Sequence, residues 1–242
     1  MKPTLFLSDL HLAPDRAGAA AAFHAFARGP ARDAAAVYIL GDLFDVWIGD
    51  DQLRDPFARA IADALAALST AGVAVFVARG NRDFLLGDAF ARASGATILP
   101  EQQIVEVGGM RLVVLHGDEL CTGDVDYQRF RARMRSGATS RRLLRLPYPL
   151  RRGIAWYLRR KSRAANALKP EAIMDVDAGA VADMFRRHGV TRMIHGHTHR
   201  PARHALDVDG QPRERIVLAD WDDRGHYLEA SATGLHVREV TG

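Results

Sequence analysis

Cysteine is nearly absent from the chain. Cys121 stands alone among 242 residues, so an internal disulfide is excluded and a reducing compartment is expected. Long apolar runs are missing too: nothing approaches the roughly 18 residues that a membrane-spanning helix needs. The opening "MKPTLFLSDLHL" has an apolar stretch too short for a secretory signal, and Asp9 interrupts it. A cytosolic protein is the expectation. Internal repeats and low-complexity linkers are also lacking, which excludes solenoid and tethered-module organisation. The last absence is local. Between Tyr127 and Pro170 there is no acidic residue, whereas fourteen basic ones occur, from Arg129 to Lys169. The other 19 basic residues face 29 acidic ones, so a net charge of +4 joins a cationic segment to a body near −10. Such a segment is a candidate contact for an anionic surface: nucleic acid, anionic lipid or phosphate.

What is present reads as a layered α/β protein. An apolar share of 48% and a charged share of 26% are ordinary for a globular chain able to bury a substantial core. Strands are expected at "TLFLS" (4–8), "AVYIL" (36–40), "VAVFVA" (73–78) and "RMIH" (192–195), with a hairpin over 103–116 turning at Gly108 and Gly109. Helical patterns near 16–28, 55–71 and 86–94 alternate with them. A longer helical stretch covers 124–189 and must break at "LPYPL", where Pro147 and Pro149 stand. The remainder reads as antiparallel strands. The expected division is a core of 1–122 with 170–242, and a helical insertion over 123–169.

Chemistry-bearing residues stand just after the strands. "SDLH" brings Asp9 and His11, "GDLFD" brings Asp42, "GNRD" brings Asn81 and Arg82, and "HGD" brings His116. "HGHTH" places His195, His197 and His199 at alternate positions. In open α/β sheets, ligands gather outside the carboxyl ends of strands, so these side chains should meet in one crevice. Carboxylates, a carboxamide and imidazoles, with no thiolate, form a mixed oxygen and nitrogen ligand set. They outnumber the needs of one ion and suit two, in the arrangement used for in-line phosphoryl displacement. Two divalent cations against two aspartates would leave positive charge to draw a phosphate. Singly, each motif is an ordinary turn or cap; five together are not. Asp45, Asp50, Asp51 and Asp83 read as turn and cap residues, and Cys121 as a buried neighbour without chemistry.

The set resembles the calcineurin-like metallophosphoesterases, whose pattern D-x-H, G-D, G-N-[HR]-[DE], H-G and G-H-x-H appears here in order. The resemblance implies an α/β fold with a β-sandwich flanked by helices, in α/β/β/α layers with a helical cap. It implies one ion on Asp9, His11, Asp42 and His199, and a second on Asp42, Asn81, His116 and His197. His195 is then structural, or supports a ligand. Many relatives carry histidine where this chain has Arg82. An arginine cannot act as a general acid near neutral pH, but it can hold phosphate oxygens. A departing phosphate needs little protonation, so Arg82 favours a pyrophosphate bond.

The segments "LCTGDVDYQRFR", "RRKSRAANALKP" and "IMDV", with "LFDVWIGDD" and "GNRDFLLG", look like the UDP-2,3-diacylglucosamine diphosphatases of lipid A biosynthesis. That resemblance runs over nearly the whole chain. It implies hydrolysis of UDP-2,3-diacylglucosamine to 2,3-diacylglucosamine 1-phosphate (lipid X) and UMP by a hydroxide activated by two metal ions, with Mn2+ as cofactor. It places the protein peripherally at the cytoplasmic face of the inner membrane. Catalytic roles fall on Asn81, Arg82 and His116. Substrate contacts fall on Asn81, Arg82, Asp124, Ser162, Asn166, Lys169 and His197. Ser162, Asn166 and Lys169 are spaced to share one helix face. "RRLLRLPYPLRRGIAWYLRRK" mixes arginine with leucine, tryptophan and tyrosine, which suits an anionic membrane surface or a lid over acyl chains, while part of it should pack on the core. A nuclease or cyclic-nucleotide phosphodiesterase on the same fold would use that segment for a nucleic-acid backbone. Arg82 and the insertion motifs argue against it, and no nucleic-acid partner is expected. A binding scaffold would be expected to have lost ligands, and none is missing.

Overall fold

The computed structural model describes residues 2–166 and 175–240. Among the described residues, eleven strands form two sheets. The first has the order β11 (Gly234–Glu239), β10 (His226–Ser231), β1 (Thr4–Leu7), β2 (Ala36–Ile39), β3 (Ala74–Val77) and β4 (Thr97–Ile98). The second has the order β5 (Gln102–Val107), β6 (Met110–Leu115), β7 (Arg192–His195), β9 (Gln211–Val217) and β8 (Ala202–Val208). Strand periodicity explains the layering. Along β1, Leu5 and Leu7 face the helices α1 (Ala17–Arg28) and α2 (Pro56–Thr70), while Phe6 points into the space between the sheets. Along β6, Leu112 and Val114 enter that inter-sheet core, and Val113 and Leu115 meet α7 (Ala178–His188) on the far side. Three apolar layers thus separate four structural ones, the α/β/β/α arrangement expected.

The helices form for local reasons. Asp55 caps α2 by accepting a hydrogen bond from Phe57 N at 2.8 Å, with Pro56 in the first turn. Ala58, Ile61, Ala62, Leu65 and Leu68 then make a buried stripe at helical spacing. Each large side chain so buried contributes about 1.5–3 kcal/mol. Asp177 caps α7 in the same way, and Gly189 ends it in the left-handed conformation.

The structure differs from the sequence reading in three places. The strand β4 was not expected. The pairing of β7 with β9 is parallel, not antiparallel, because β8 folds outside β9 and leaves β9 beside β7. The helical stretch divides further into α4 (Val125–Arg135), α5 (Gly137–Leu144), α6 (Tyr148–Asn166) and α7; α3 is the short helix Asp88–Ser94. Ser136 breaks it between α4 and α5 because its hydroxyl caps the next helix at Thr139 N. Pro149 stands in the first turn of α6, where a missing N–H costs nothing.

Candidate metal centre

Strands β1, β2 and β3 run parallel in one sheet and β6 and β7 in the other, so their carboxyl ends open on one crevice. Immediately beyond them the backbone turns sharply. Among the described residues, six non-glycine positions have positive φ, and five are Asp9, His11, Asp42, His197 and His199. Aspartate and histidine tolerate this region better than most residues, yet each costs of order 1 kcal/mol. The turns are held by their neighbours. Asp9 N donates to Gly41 O at 3.1 Å, His11 N to Asp42 O at 2.9 Å, and His197 N to Asp9 Oδ2 at 2.7 Å. The glycines of the motifs permit the approach. A Cβ on Gly41 would come within 2.6 Å of His116 Nδ1, and one on Gly80 would collide with Asp42.

Two groups of potential ligands result. Asp9, His11 and His199 converge, as do Asp9, Asp42 and His116, so Asp9 belongs to both. Asp42 faces both sides as well, with Oδ2 at 3.7 Å from His11 Nδ1 and Oδ1 at 3.9 Å from His116 Nε2. Asn81 Oδ1 lies 3.0 Å from His116 Nε2 and 3.1 Å from His197 Nδ1. The other nitrogen of His116 faces the Leu40 carbonyl at 2.9 Å. With the proton there, Nε2 keeps its lone pair toward the crevice. Among the ligand candidates, two buried atoms lack any hydrogen-bond partner, Asp9 Oδ1 and His11 Nδ1. Buried polar atoms are rarely left so, and an oxygen and nitrogen donor set of this kind fits divalent cations.

The electrostatics match a place prepared for positive charge. Burial holds His11 down at about 2 and His197 at about 4, so both imidazoles are neutral near pH 7. Burial pushes Asp42 up to about 7, against the pull of His116 and with the help of the neighbouring carboxylates of Asp83 and Asp9. Burial would lower His199 too, but the carboxylates of Asp220 at 3.3 Å and Asp9 at 3.5 Å outweigh it and raise it to about 10. A proton on His199 thus occupies a position that favours a cation.

Arg82 guards the mouth. Its Nε lies 3.4 Å from Asp42 Oδ2 and its Nη1 2.6 Å from Asp45 Oδ1. Asp45 also accepts from Arg159 of α6, at 2.8 Å on the carboxylate and 2.9 Å on the carbonyl. Asp45 is therefore more than a turn residue. Asp83 organises a turn, accepting from Gly80 N, Asp42 N and Leu43 N. Asp50 caps α3, and Asp51 pairs with the buried Arg151 of α6. His195 is wholly buried, with Nδ1 at 2.9 Å from Gly196 O and Nε2 at 3.2 Å from Arg215. Cys121 is buried, and burial pushes its thiol up to about 12.

Of the remaining sequence candidates, Asp124 stands at the head of α4 and Ser162 and Asn166 on α6. Asp124 caps α4 through Tyr127 N at 3.1 Å. Ser162 is exposed on α6, Asn166 is the last described residue of that helix, and Lys169 lies outside the described residues. Sequence reasoning passed over Asp220, which faces His199 Nδ1 at 3.3 Å, and Asp118 and Tyr127. Asp118 is fully buried and accepts from Tyr127 Oη at 2.9 Å, and the Tyr127 ring lies nearly parallel to that of His197 with centroids 6.0 Å apart. The letters were visible: Asp118 is the third residue of "HGD", and Asp220 follows the last strand of the second sheet.

The calcineurin-like phosphoesterase family pattern matches residues 2–201. The chain is 49% identical over 235 residues to the UDP-2,3-diacylglucosamine hydrolase of Cellvibrio japonicus, covering 97% of this chain and 98% of that one. It is 46% identical to proteins of the same name from Pseudomonas aeruginosa and Escherichia coli, in each case covering 95% of both chains.

Proposed function

The chain belongs to the calcineurin-like phosphoesterase family, and from that premise we propose that it hydrolyses the pyrophosphate bond of UDP-2,3-diacylglucosamine, releasing UMP and 2,3-diacylglucosamine 1-phosphate. The observation that carries the chemistry is the pair of ligand groups meeting at Asp9, with two buried donor atoms unpartnered. Near-half identity along almost the whole chain to proteins of that name supports the substrate. Asp9, His11, Asp42 and His199 would hold one divalent ion, and Asp42, Asn81, His116 and His197 the other, with Mn2+ the expected metal. When bound, such ions supply concentrated positive charge for phosphoryl oxygens and lower the pKa of water.

The chain's own groups do the rest. Burial keeps His11 and His197 unprotonated, and the Leu40 carbonyl orients His116. Arg82, poised between Asp42 and Asp45, can swing its guanidinium onto the diphosphate and offset charge as the P–O bond breaks. Attack falls on the phosphorus nearer uridine, water's oxygen ends on UMP, and the lipid-borne phosphate leaves without needing a proton. Ser162, Asn166 and Lys169 would contact the glucosamine end, and Asp124 the same ligand beside α4.

We assign 1–122 and 170–242 to the core and 123–169 to a cap. No described helix is long and apolar enough to cross a membrane. The outer face of α6 exposes Leu150, Trp156 and Tyr157 beside Arg152, Arg160 and Lys161, with Arg160 stacked over the Trp156 ring at 5.7 Å. That combination suits peripheral contact with anionic lipid, as at the cytoplasmic face of an inner membrane. Several arginines that a nucleic-acid groove would require already face the protein's own carboxylates: Arg131, Arg135, Arg151 and Arg159.

The test is UMP release from UDP-2,3-diacylglucosamine in mixed micelles by metal-stripped protein, with and without Mn2+. Manganese-dependent UMP is expected. Turnover of a generic phosphodiester without UMP release would discard the substrate and keep the metal chemistry.

A further inference from the structure

We infer that helix α4 is a strut that positions the ligands of one metal ion and not the other, with Asp118, Arg135 and Tyr127 as its positioning residues. The inference rests on the two-ion reading above. Its inward face is Asp124, Tyr127, Gln128, Arg131 and Arg135, at helical spacing. Asp124 caps the helix, and each of the other four reaches a loop that carries a ligand. Arg135 Nη2 donates to the carbonyls of Arg79 at 3.1 Å and Gly80 at 3.3 Å, the two residues before Asn81. The same nitrogen meets both Asp118 oxygens, at 3.4 and 3.3 Å. Arg131 Nε donates to Asp118 Oδ2 at 2.8 Å, and Gln128 donates to the Asp118 carbonyl at 2.8 Å. Asp118 stands two residues after His116. Tyr127 completes the set, with its hydroxyl on Asp118 and its ring beside His197.

The Asn81, His116 and His197 loops are thereby tied to one helix through one buried carboxylate. Asp118 is wholly buried, and its carboxylate accepts from Tyr127, Arg131 and Arg135, all on α4, so it depends on these donors. The other ligand group is fastened differently. Asp9 and His11 are pinned by the Gly41 and Asp42 carbonyls, and His199 by Asp220. Loosening α4 should therefore release one ion and spare its neighbour. Removing a partner that orients metal ligands lowers affinity by about 10–100-fold.

Mn2+ is titrated calorimetrically into metal-stripped wild-type protein and into Arg135→Met, Asp118→Asn and Tyr127→Phe. Arg133→Met, on the exposed outer face of the same helix, is the control. Thermal melts of the metal-free proteins accompany each titration. Wild type and Arg133→Met should take up two ions. Arg135→Met and Asp118→Asn should keep one near wild-type affinity and weaken the other about 10–100-fold, with Tyr127→Phe between. Two undisturbed sites in Arg135→Met and Asp118→Asn would overturn the inference. Parallel loss of both ions with a lowered melting temperature would overturn it too, since that is general destabilisation. A wild-type stoichiometry below two would remove the two-ion reading itself and the inference with it.

Discussion

The crevice loops and the arginine-rich helices handle charge in opposite ways. In the loops, carboxylates and imidazoles crowd together with two donor atoms left unpartnered, and the surroundings favour an incoming cation. In α4 and α6 the inward charges are matched within the protein: Arg131 and Arg135 on Asp118 and Glu101, Arg151 on Asp51, Arg159 on Asp45. The outward charges of α6 remain in solvent beside exposed aromatic rings. A run of basic residues is thus two populations, one that fastens helices to an acidic core and one that faces outward. Counting charge along the chain gives their sum and hides the division.

Three substitutions sharpen this contrast. The largest effect is expected from Arg82→Ala, where the crevice and the helices meet. Diphosphate hydrolysis should fall about 10²–10³-fold, the range for losing a group that stabilises transition-state charge, with metal content unchanged. Unchanged turnover at full metal loading would separate Arg82 from the chemistry. Next is Arg151→Met, which leaves Asp51 and the Ile48 carbonyl without their donor. Asp51 is one-third exposed and regains water, so about 2 kcal/mol of stability should be lost, read as a lower urea midpoint at constant m-value. A midpoint equal to wild type would make Arg151 one of the dispensable charges. The smallest effect on the folded protein is expected from Trp156→Ala. Its ring is 64% exposed, so stability should change by less than about 0.5 kcal/mol. Sedimentation with anionic vesicles should nevertheless weaken about tenfold, the loss of roughly 1.4 kcal/mol of interfacial burial. Equal sedimentation of both proteins would leave the outer face of α6 without a membrane role.

The crevice motifs were legible because each sits where a β-rich run stops, and all but "SDLH" carry a glycine there, a local pattern that survives in one dimension. The left-handed turns at Asp9, His11, Asp42, His197 and His199 were not, because no residue type there demands positive φ. Asp118 and Asp220 were illegible for another reason: an aspartate after a strand reads as a turn until the element packed over it is known. The parallel pairing of β7 with β9 escaped similarly. "DVDGQP" declares a hairpin but does not say which arm joins the larger sheet.

The five left-handed residues bear on how this protein would respond to selection for heat resistance. Glycine at any of them would relax a conformation that aspartate or histidine adopts reluctantly, and at Asp9 or Asp42 it would also thin a crowd of buried charge. Any stabilisation available from relaxing these five turns therefore lies where the chemistry needs the native side chain. A library sorted on melting temperature alone would climb by dismantling the crevice, so sorting for robustness must carry a metal-binding or turnover criterion at every round.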